Sequence, residues 1–187
     1  MTATYAHPDE PRQWPEDILQ IAATVELLVL DVDGVMTRGD VVFTASGDEI
    51  KAFNILDGQG IKLLQREGIR VAIITGRESP LTARRARDLG IEHLQQNRED
   101  KLVALRELCN ELNLPLAKVA YLGDDLPDLS AIRAVGLGIT VPNAYWLIRR
   151  HARCCTLARG GEGAVREVSD LLLQARGSLD ATLETYL

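Results

Sequence analysis

"LLVLDVDGVMTRGD", residues 27–40, sets four apolar residues directly before Asp31, places Asp33 two positions later and follows it with Gly34. An uninterrupted apolar run of this length reads as a strand buried on both faces. Two carboxylates at its C-terminal end are costly beside a core unless something compensates them. A plain strand end with a turn, where Asp and Gly are common, is the ordinary alternative. The rest of the chain decides between the two.

Two more runs repeat the arrangement. "RVAIITG" (70–76) ends in Thr75 and Gly76, with Arg77 next, and "KVAYLGDD" (118–125) ends in Gly123, Asp124 and Asp125. "VGLGITV" (135–141) reads as a fourth strand and "IEHL" (91–94) as a short extra one. Helical patterns fall between them at 58–67, 79–89, 99–112 and 126–134, with another after "VPNAYW" and one at 164–175. Ser79-Pro80 has the form of an N-cap followed by proline at the first helical position. Leu102, Leu105, Leu108, Cys109 and Leu112 keep helical spacing. Alternating apolar strands and helices predict an α/β fold, a Rossmann-like parallel sheet with helices on both faces. One segment breaks the alternation: "GDVVFTASGDEIKAFN" (39–54) predicts a β-hairpin inserted after the first strand. A lone hairpin is marginal and leaves strand edges unpaired, so a neighbouring subunit is its natural cover. The expected organisation is an N-terminal arm and short helix at 1–24, one domain at 25–176 and a tail at 177–187.

Composition narrows the function classes. The chain has 187 residues, 46% hydrophobic and only 4% aromatic, which fits one globular domain with an aliphatic core. A net charge of −6 without like-charge runs argues against a nucleic-acid or anionic-membrane surface. No stretch approaches a membrane span, and "MTATYAHPDEPRQWPED" has no apolar signal region. An odd cysteine count (Cys109, Cys154 and Cys155) then fits a reducing cytoplasm. Neither the adjacent cysteine pair nor the scattered His7, His93 and His151 has zinc-site spacing.

In open parallel sheets ligands bind at the C-terminal ends of the strands. That edge is expected to gather Asp31, Asp33, Thr75, Gly76, Arg77, Asp124 and Asp125, with Lys101 near the start of the helix before the third strand. Clustered carboxylates resist ionisation, and a hard divalent cation relieves them. Oxygen ligands alone favour Mg²⁺ over zinc. A cation, an ammonium and a hydroxyl together suit phosphoryl oxygens, and one carboxylate can act as nucleophile.

The set Asp31-Val32-Asp33-Gly34-Val35, Thr75, Lys101 and Gly123-Asp124-Asp125 with Asp128 resembles the four motifs of the haloacid dehalogenase superfamily, in order and spacing. The resemblance implies that Asp31 attacks phosphorus and that Asp33 protonates the leaving alcohol and then activates water. It implies that Asp31, the Asp33 carbonyl and Asp124 hold Mg²⁺, that Asp125 and Asp128 orient these ligands, and that Thr75 and Lys101 bind phosphoryl oxygens. An acid at 128 also suits a helix first turn.

Neither the stretch from Asp33 to Thr75 nor that from Thr75 to Lys101 has room for a cap domain. With "AFNILDGQGI", "IITGRES", "GDDLPD" and "RGGEGAVREVSDLLL", the chain is similar to the capless 3-deoxy-D-manno-octulosonate 8-phosphate phosphatase family. That similarity implies a homotetramer whose hairpins form a central barrel and whose active sites are completed by neighbouring subunits. The implied substrate is an acidic eight-carbon sugar phosphate made for lipopolysaccharide. Arg77 is then the candidate fork for the sugar carboxylate. Arg159, Gly160 and Gly161 are candidates to act in a neighbour's site, their turn aiming backbone N–H groups at an anion. Lys51, Phe53 and Asn54 are candidates to face the site, with barrel packing as the alternative. Two positions depart from the family: Leu56, where several relatives carry Arg, and Asn97, where Gly is frequent and a left-handed backbone is expected.

Four alternatives stay open on sequence. A nine-carbon, sialic-acid-type 9-phosphate is a rival substrate, and Arg77 favours the eight-carbon acid. A permissive phosphatase of broad range would also use an open site. A signalling receiver domain uses similar residues, but in reverse strand order and without an acid at the place of Asp33. A non-catalytic oligomerisation module is the last, and it would not need the full catalytic set.

Overall fold

The computed structural model describes residues 12–187. The part of the expected N-terminal arm before Arg12 lies outside the described residues. The remainder holds the expected short helix: α1 (Glu16–Ala22) buries Ile18 and Ala22, and Trp14 joins them in the core.

Six strands form one parallel sheet in the order β5–β4–β1–β6–β7–β8. They are β1 (Leu27–Leu30), β4 (Arg70–Ile74), β5 (His93–Gln95), β6 (Val119–Leu122), β7 (Leu137–Thr140) and β8 (Cys154–Cys155). All four residues of β1, β6 and β7 are buried, as the apolar runs of β1 and β6 require, and Thr140 at the end of β7 satisfies its hydroxyl on the Gly123 carbonyl. The register fixes the site, because Leu30 pairs with Ile73 on one side and Leu122 on the other. Asp31, Thr75 and Gly123 therefore leave the sheet at a common edge. β1 lies where the strand order reverses, the place at which such sheets open a crevice.

Helices α2 (Ile55–Arg66), α3 (Pro80–Asp88), α4 (Lys101–Glu111), α5 (Leu129–Ala134), α6 (Trp146–His151), α7 (Ala164–Ala175) and α8 (Leu179–Glu184) complete the fold. α7 packs against α2 and α1 and buries Val165, Val168, Leu171, Leu172 and Leu173. Helix α2 begins three residues before its expected start, because the Asn54 side chain accepts a hydrogen bond from the Leu56 N–H and caps it. The segment expected as one helix at 126–134 opens instead with a 3₁₀ turn at Leu126–Asp128, set by a reciprocal capping box between Asp125 and Asp128. β8 was not expected, since two residues carry no readable period. The tail's last helix, α8, folds back so that the Tyr186 hydroxyl accepts from Gln59 and Arg66 of α2.

The hairpin is present but short: β2 (Val42–Phe43) pairs antiparallel with β3 (Glu49–Ile50). Val41, Val42, Phe43 and Ile50 are exposed on it. Among the described residues only this hairpin and α2 lie between β1 and β4, and only α3, β5, α4 and a 3₁₀ turn between β4 and β6, so no cap domain is present. No helix among the described residues is long and apolar enough to cross a membrane.

Candidate active site

A cleft of about 350 Å³ opens at the C-terminal edge of the sheet. Asp31, Asp33, Thr75, Gly76, Arg77, Lys101, Asp124, Asp125 and Asp128 all line it, joined by Gly39, Glu99 and Pro127.

Asp128 is the floor. It is fully buried, and its Oδ1 accepts from Lys101 Nζ at 2.6 Å and from the Tyr121 hydroxyl at 2.8 Å. Its Oδ2 accepts from the backbone N–H groups of Asp124 and Asp125 at 3.1 and 3.2 Å. Both oxygens are thus committed, and the loop bearing Asp124 is shaped around them. Lys101 Nζ also lies 2.8 Å from Asp31 Oδ1, so one ammonium bridges two carboxylates. Burial opposes the lysine's charge, but Asp31 and Asp128 outweigh it and raise its pKa above the ordinary value.

Negative charge still exceeds positive. One carboxylate oxygen from each of Asp31, Asp124 and Asp128 lies within 4.8 Å of the other two. Burial, then repulsion from Asp128, pushes Asp31 up to about 7 despite Lys101. Burial, then the charges of Asp31 and Asp128, pushes Asp124 up to about 8. Two carboxylates held so far above their usual range, with oxygen donors facing one point, form a set that a hard divalent cation fits.

Gly34 explains how closely the parts approach. Its φ is +92°, and a Cβ there would lie 2.0 Å from Asp124 Oδ2. The loop after β1 therefore has no space for a side chain against the acidic pair. Thr75 is buried, its N–H donating to Gln95 and its carbonyl accepting from Arg98, which pins it between β4 and β5. Asn97, just after β5, has φ +57°, the left-handed backbone expected of it.

The other sequence candidates divide. Lys51 is buried behind the cleft wall and donates to Asp33 Oδ1, which lines the cleft. Arg77 lies at the rim with its NH2 donating to Glu49 at 2.7 Å. Phe53, Asn54 and Gly161 line a neighbouring groove of about 500 Å³ with Arg38 and Asp40, outside the catalytic cleft. Gly160 is buried, and a Cβ on it would stand 1.7 Å from the Gly34 carbonyl oxygen. The expectation that this turn aims N–H groups at an anion is met within the chain, since Arg166 N–H donates to the Asp57 carboxylate, while the first N–H groups of the turn go to other partners. Gly160 N–H donates to Asn143 Oδ1, Gly161 N–H to the Val35 carbonyl and Glu162 N–H to Arg159. The glycines instead let the turn pack on the loop after β1 of its own chain. Arg159 is exposed beside them. Leu56 is exposed at the start of α2 and carries no charge there.

Sequence reasoning missed Tyr121, Glu49, Asn143 and Asp57. A lone tyrosine in an aliphatic strand two residues before Gly123 was a readable signal for the first. Asp57 is buried and accepts from Arg166 N–H at 2.9 Å, capping α7 in place of the side chain that Gly163 lacks. Burial pushes it up to about 6 against the N–H groups that hold it down, and its Oδ2 has no hydrogen-bond partner among the described residues.

A haloacid dehalogenase-like hydrolase family profile matches residues 40–136. The 3-deoxy-D-manno-octulosonate 8-phosphate phosphatase of Yersinia pestis is 47% identical over 165 residues, 88% of each chain. The chain belongs to the haloacid dehalogenase-like hydrolases. Among solved structures of this family, a probable YrbI family phosphatase from Pseudomonas syringae superposes with a TM-score of 0.91 at 53% identity, covering 92% of this chain and 98% of that one. The 3-deoxy-D-manno-octulosonate 8-phosphate phosphatase of Moraxella catarrhalis superposes with a TM-score of 0.90 at 44% identity, covering 91% and 98%. That structure holds magnesium, phosphate and the sugar acid.

Proposed function

We propose that this hydrolase removes phosphate from 3-deoxy-D-manno-octulosonate 8-phosphate, with Mg²⁺ as cofactor. The observation that carries the chemistry is the excess of buried carboxylate over ammonium at the strand ends, with Asp31, Asp124 and Asp128 around one point and Lys101 alone among them. The high identity to phosphatases of that sugar acid supports the substrate.

Asp31, the Asp33 carbonyl and Asp124 are the groups that would hold the cation. When bound, it would draw Asp31 and Asp124 into their ionised forms and neutralise charge on the phosphoryl oxygens. Asp31 is the nucleophile: its carboxylate forms a bond to phosphorus as the ester oxygen departs. Asp33 donates a proton to that oxygen, then takes one from the water that opens the aspartyl phosphate. Thr75 and Lys101 bind phosphoryl oxygens, and Asp128 holds Lys101 and the Asp124 loop in place. Lys51, bonded to Asp33, fixes that carboxylate in the cleft. Arg77 at the rim grips the sugar carboxylate.

A homotetramer fits the hairpin. Val42, Phe43 and Ile50 are apolar and exposed on strands too short to stand alone. Barrel assembly with neighbouring copies would cover them and close the open cleft.

Phosphate release is to be measured from the octulosonate 8-phosphate, a nonulosonate 9-phosphate, a hexose 6-phosphate and p-nitrophenyl phosphate, with Mg²⁺ and with EDTA. A Mg²⁺-dependent preference for the eight-carbon acid is expected. Preference for the nine-carbon acid would overturn the substrate, and no release from any would overturn the phosphatase reading.

A further inference from the structure

Glu49 opens β3 on the hairpin, yet its carboxylate turns inward and is only 18% exposed. Its Oε1 accepts from Arg77 NH2 at 2.7 Å, and its Oε2 accepts from the Ser79 hydroxyl at 2.7 Å. Lys51 Nζ stands 3.7 Å from the same Oε1 while donating to Asp33. One carboxylate thus ties the hairpin to the loop that follows β4. Ser79 occupies the N-cap position of α3 but makes no capping hydrogen bond with its side chain. Its hydroxyl serves Glu49 instead, so a local helix preference is set aside for this contact. Arg77 lines the catalytic cleft with its side chain 41% exposed. A guanidinium has five N–H donors in a rigid fork, so binding Glu49 through NH2 alone tethers the group at the rim and leaves its other donors for a ligand.

We propose that Glu49 is a positioning residue for substrate discrimination. It holds the Arg77 guanidinium at the rim in the orientation that grips the sugar carboxylate, and couples that grip to the hairpin. This rests on the reading of Arg77 given above. Glu49 touches neither the phosphoryl group nor the nucleophile, but it neighbours Lys51, which holds Asp33, so an effect confined to the KM for the sugar acid is what separates the role through Arg77 from one through Lys51.

The test is a double-mutant cycle of Glu49→Ala and Arg77→Ala, with Glu49→Gln as the shape-preserving variant. Each is assayed on the octulosonate 8-phosphate and on hexose 6-phosphate, which has no carboxylate. Loss of one charged hydrogen bond predicts that Glu49→Ala raises KM for the sugar acid about tenfold, with kcat within about threefold. Glu49→Gln should recover most of the loss, and kcat/KM for hexose 6-phosphate should stay within about twofold of wild type. On the Arg77→Ala background, Glu49→Ala should add little. An unchanged or lower KM, equal losses on both substrates, or independent effects in the double variant would overturn the proposal. A lower KM would mean that Glu49 competes with substrate for Arg77. If wild type shows no preference for the sugar acid, the substrate reading fails by itself. A crystal structure of Glu49→Ala then decides: a displaced Arg77 guanidinium supports the positioning role, and an unmoved one overturns it.

Discussion

At the cleft floor, Asp128 accepts four hydrogen bonds, all from its own chain. On the hairpin, Phe43 is 60% exposed. The first region has its polar atoms partnered within the chain, whereas the second leaves apolar side chains exposed. The reacting groups hang from the most deeply buried strands, so their positions follow from the core. The groups that read the rest of a substrate hang from a two-strand ribbon and a rim. On the proposed reading one chain supplies the phosphoryl chemistry, and the hairpin would link substrate selection to a covering copy. The comparison is testable: damage to the floor should abolish chemistry in the single chain, whereas damage to the hairpin's outer face should spare the chemistry and change the assembly.

The largest effect is expected at the nucleophile. Asp31→Asn keeps the shape and removes the attacking charge, so kcat on every substrate should fall by at least about 10⁴-fold. Asp33→Asn removes the proton carrier and should cost about 10²- to 10⁴-fold. Equal losses on p-nitrophenyl phosphate and on the sugar acid would place both on the floor side of the comparison. If p-nitrophenyl phosphate, with its good leaving group, is spared in Asp33→Asn alone, proton donation to the leaving oxygen is the step that residue serves.

Next comes the stability of the floor itself. Lys101 is the ammonium between Asp31 and Asp128. Lys101→Met leaves buried carboxylates without their counter-charge, which should destabilise the fold by about 3–5 kcal/mol. Chemical denaturation of the metal-free protein reads this directly. A loss below about 1 kcal/mol would show that water reaches the floor and screens it.

The outer face of the hairpin should behave otherwise. Phe43→Lys changes an exposed residue, so the folded chain should lose little stability. If the apolar ribbon is an assembly surface, the same change should weaken association at least about tenfold, read by analytical ultracentrifugation over a concentration series. Unchanged assembly would remove the ribbon from the interface.

These expectations also mark what was legible in the sequence. Asp31, Thr75, Lys101 and Asp124 were readable because each stands at the end of a strand or the start of a helix, where chain order alone fixes the edge. Asn97 was readable because a left-handed backbone has few occupants. Glu49, Tyr121 and Asp57 were not, because each matters through a partner far away in sequence. Glu49 looks like a solvated hairpin residue until Arg77 and Ser79 are seen against it. The surroundings of Gly160 were hidden for a related reason. A glycine turn that presents N–H groups and one that packs against another backbone read alike, and only the Gly34 carbonyl beside it distinguishes them.

A last test separates the floor's charges from a structural one. Asp31, Asp124 and Asp57 all have folded pKa values above the ordinary carboxylate value. A carboxyl group raised on folding binds protons more tightly in the folded state, so its stabilising contribution is full below the unfolded value near 4 and is lost as pH rises through the folded value. The metal-free protein should therefore lose stability in two overlapping windows: one up to about 6 from Asp57, and one reaching about 7 to 8 from Asp31 and Asp124. Mg²⁺ favours the ionised forms of the strand-end pair alone. At about a hundredfold excess over its dissociation constant it should restore about 2.7 kcal/mol, or about 5–10 °C in Tm for a chain of this size. That gain should grow between pH 6 and 8 and leave the lower window untouched. Asp57→Asn should flatten the lower window and leave the Mg²⁺ response intact. A Mg²⁺ response that moves with Asp57→Asn would mean that the α7 cap and the strand-end carboxylates titrate as one unit, and the floor would then extend to α7.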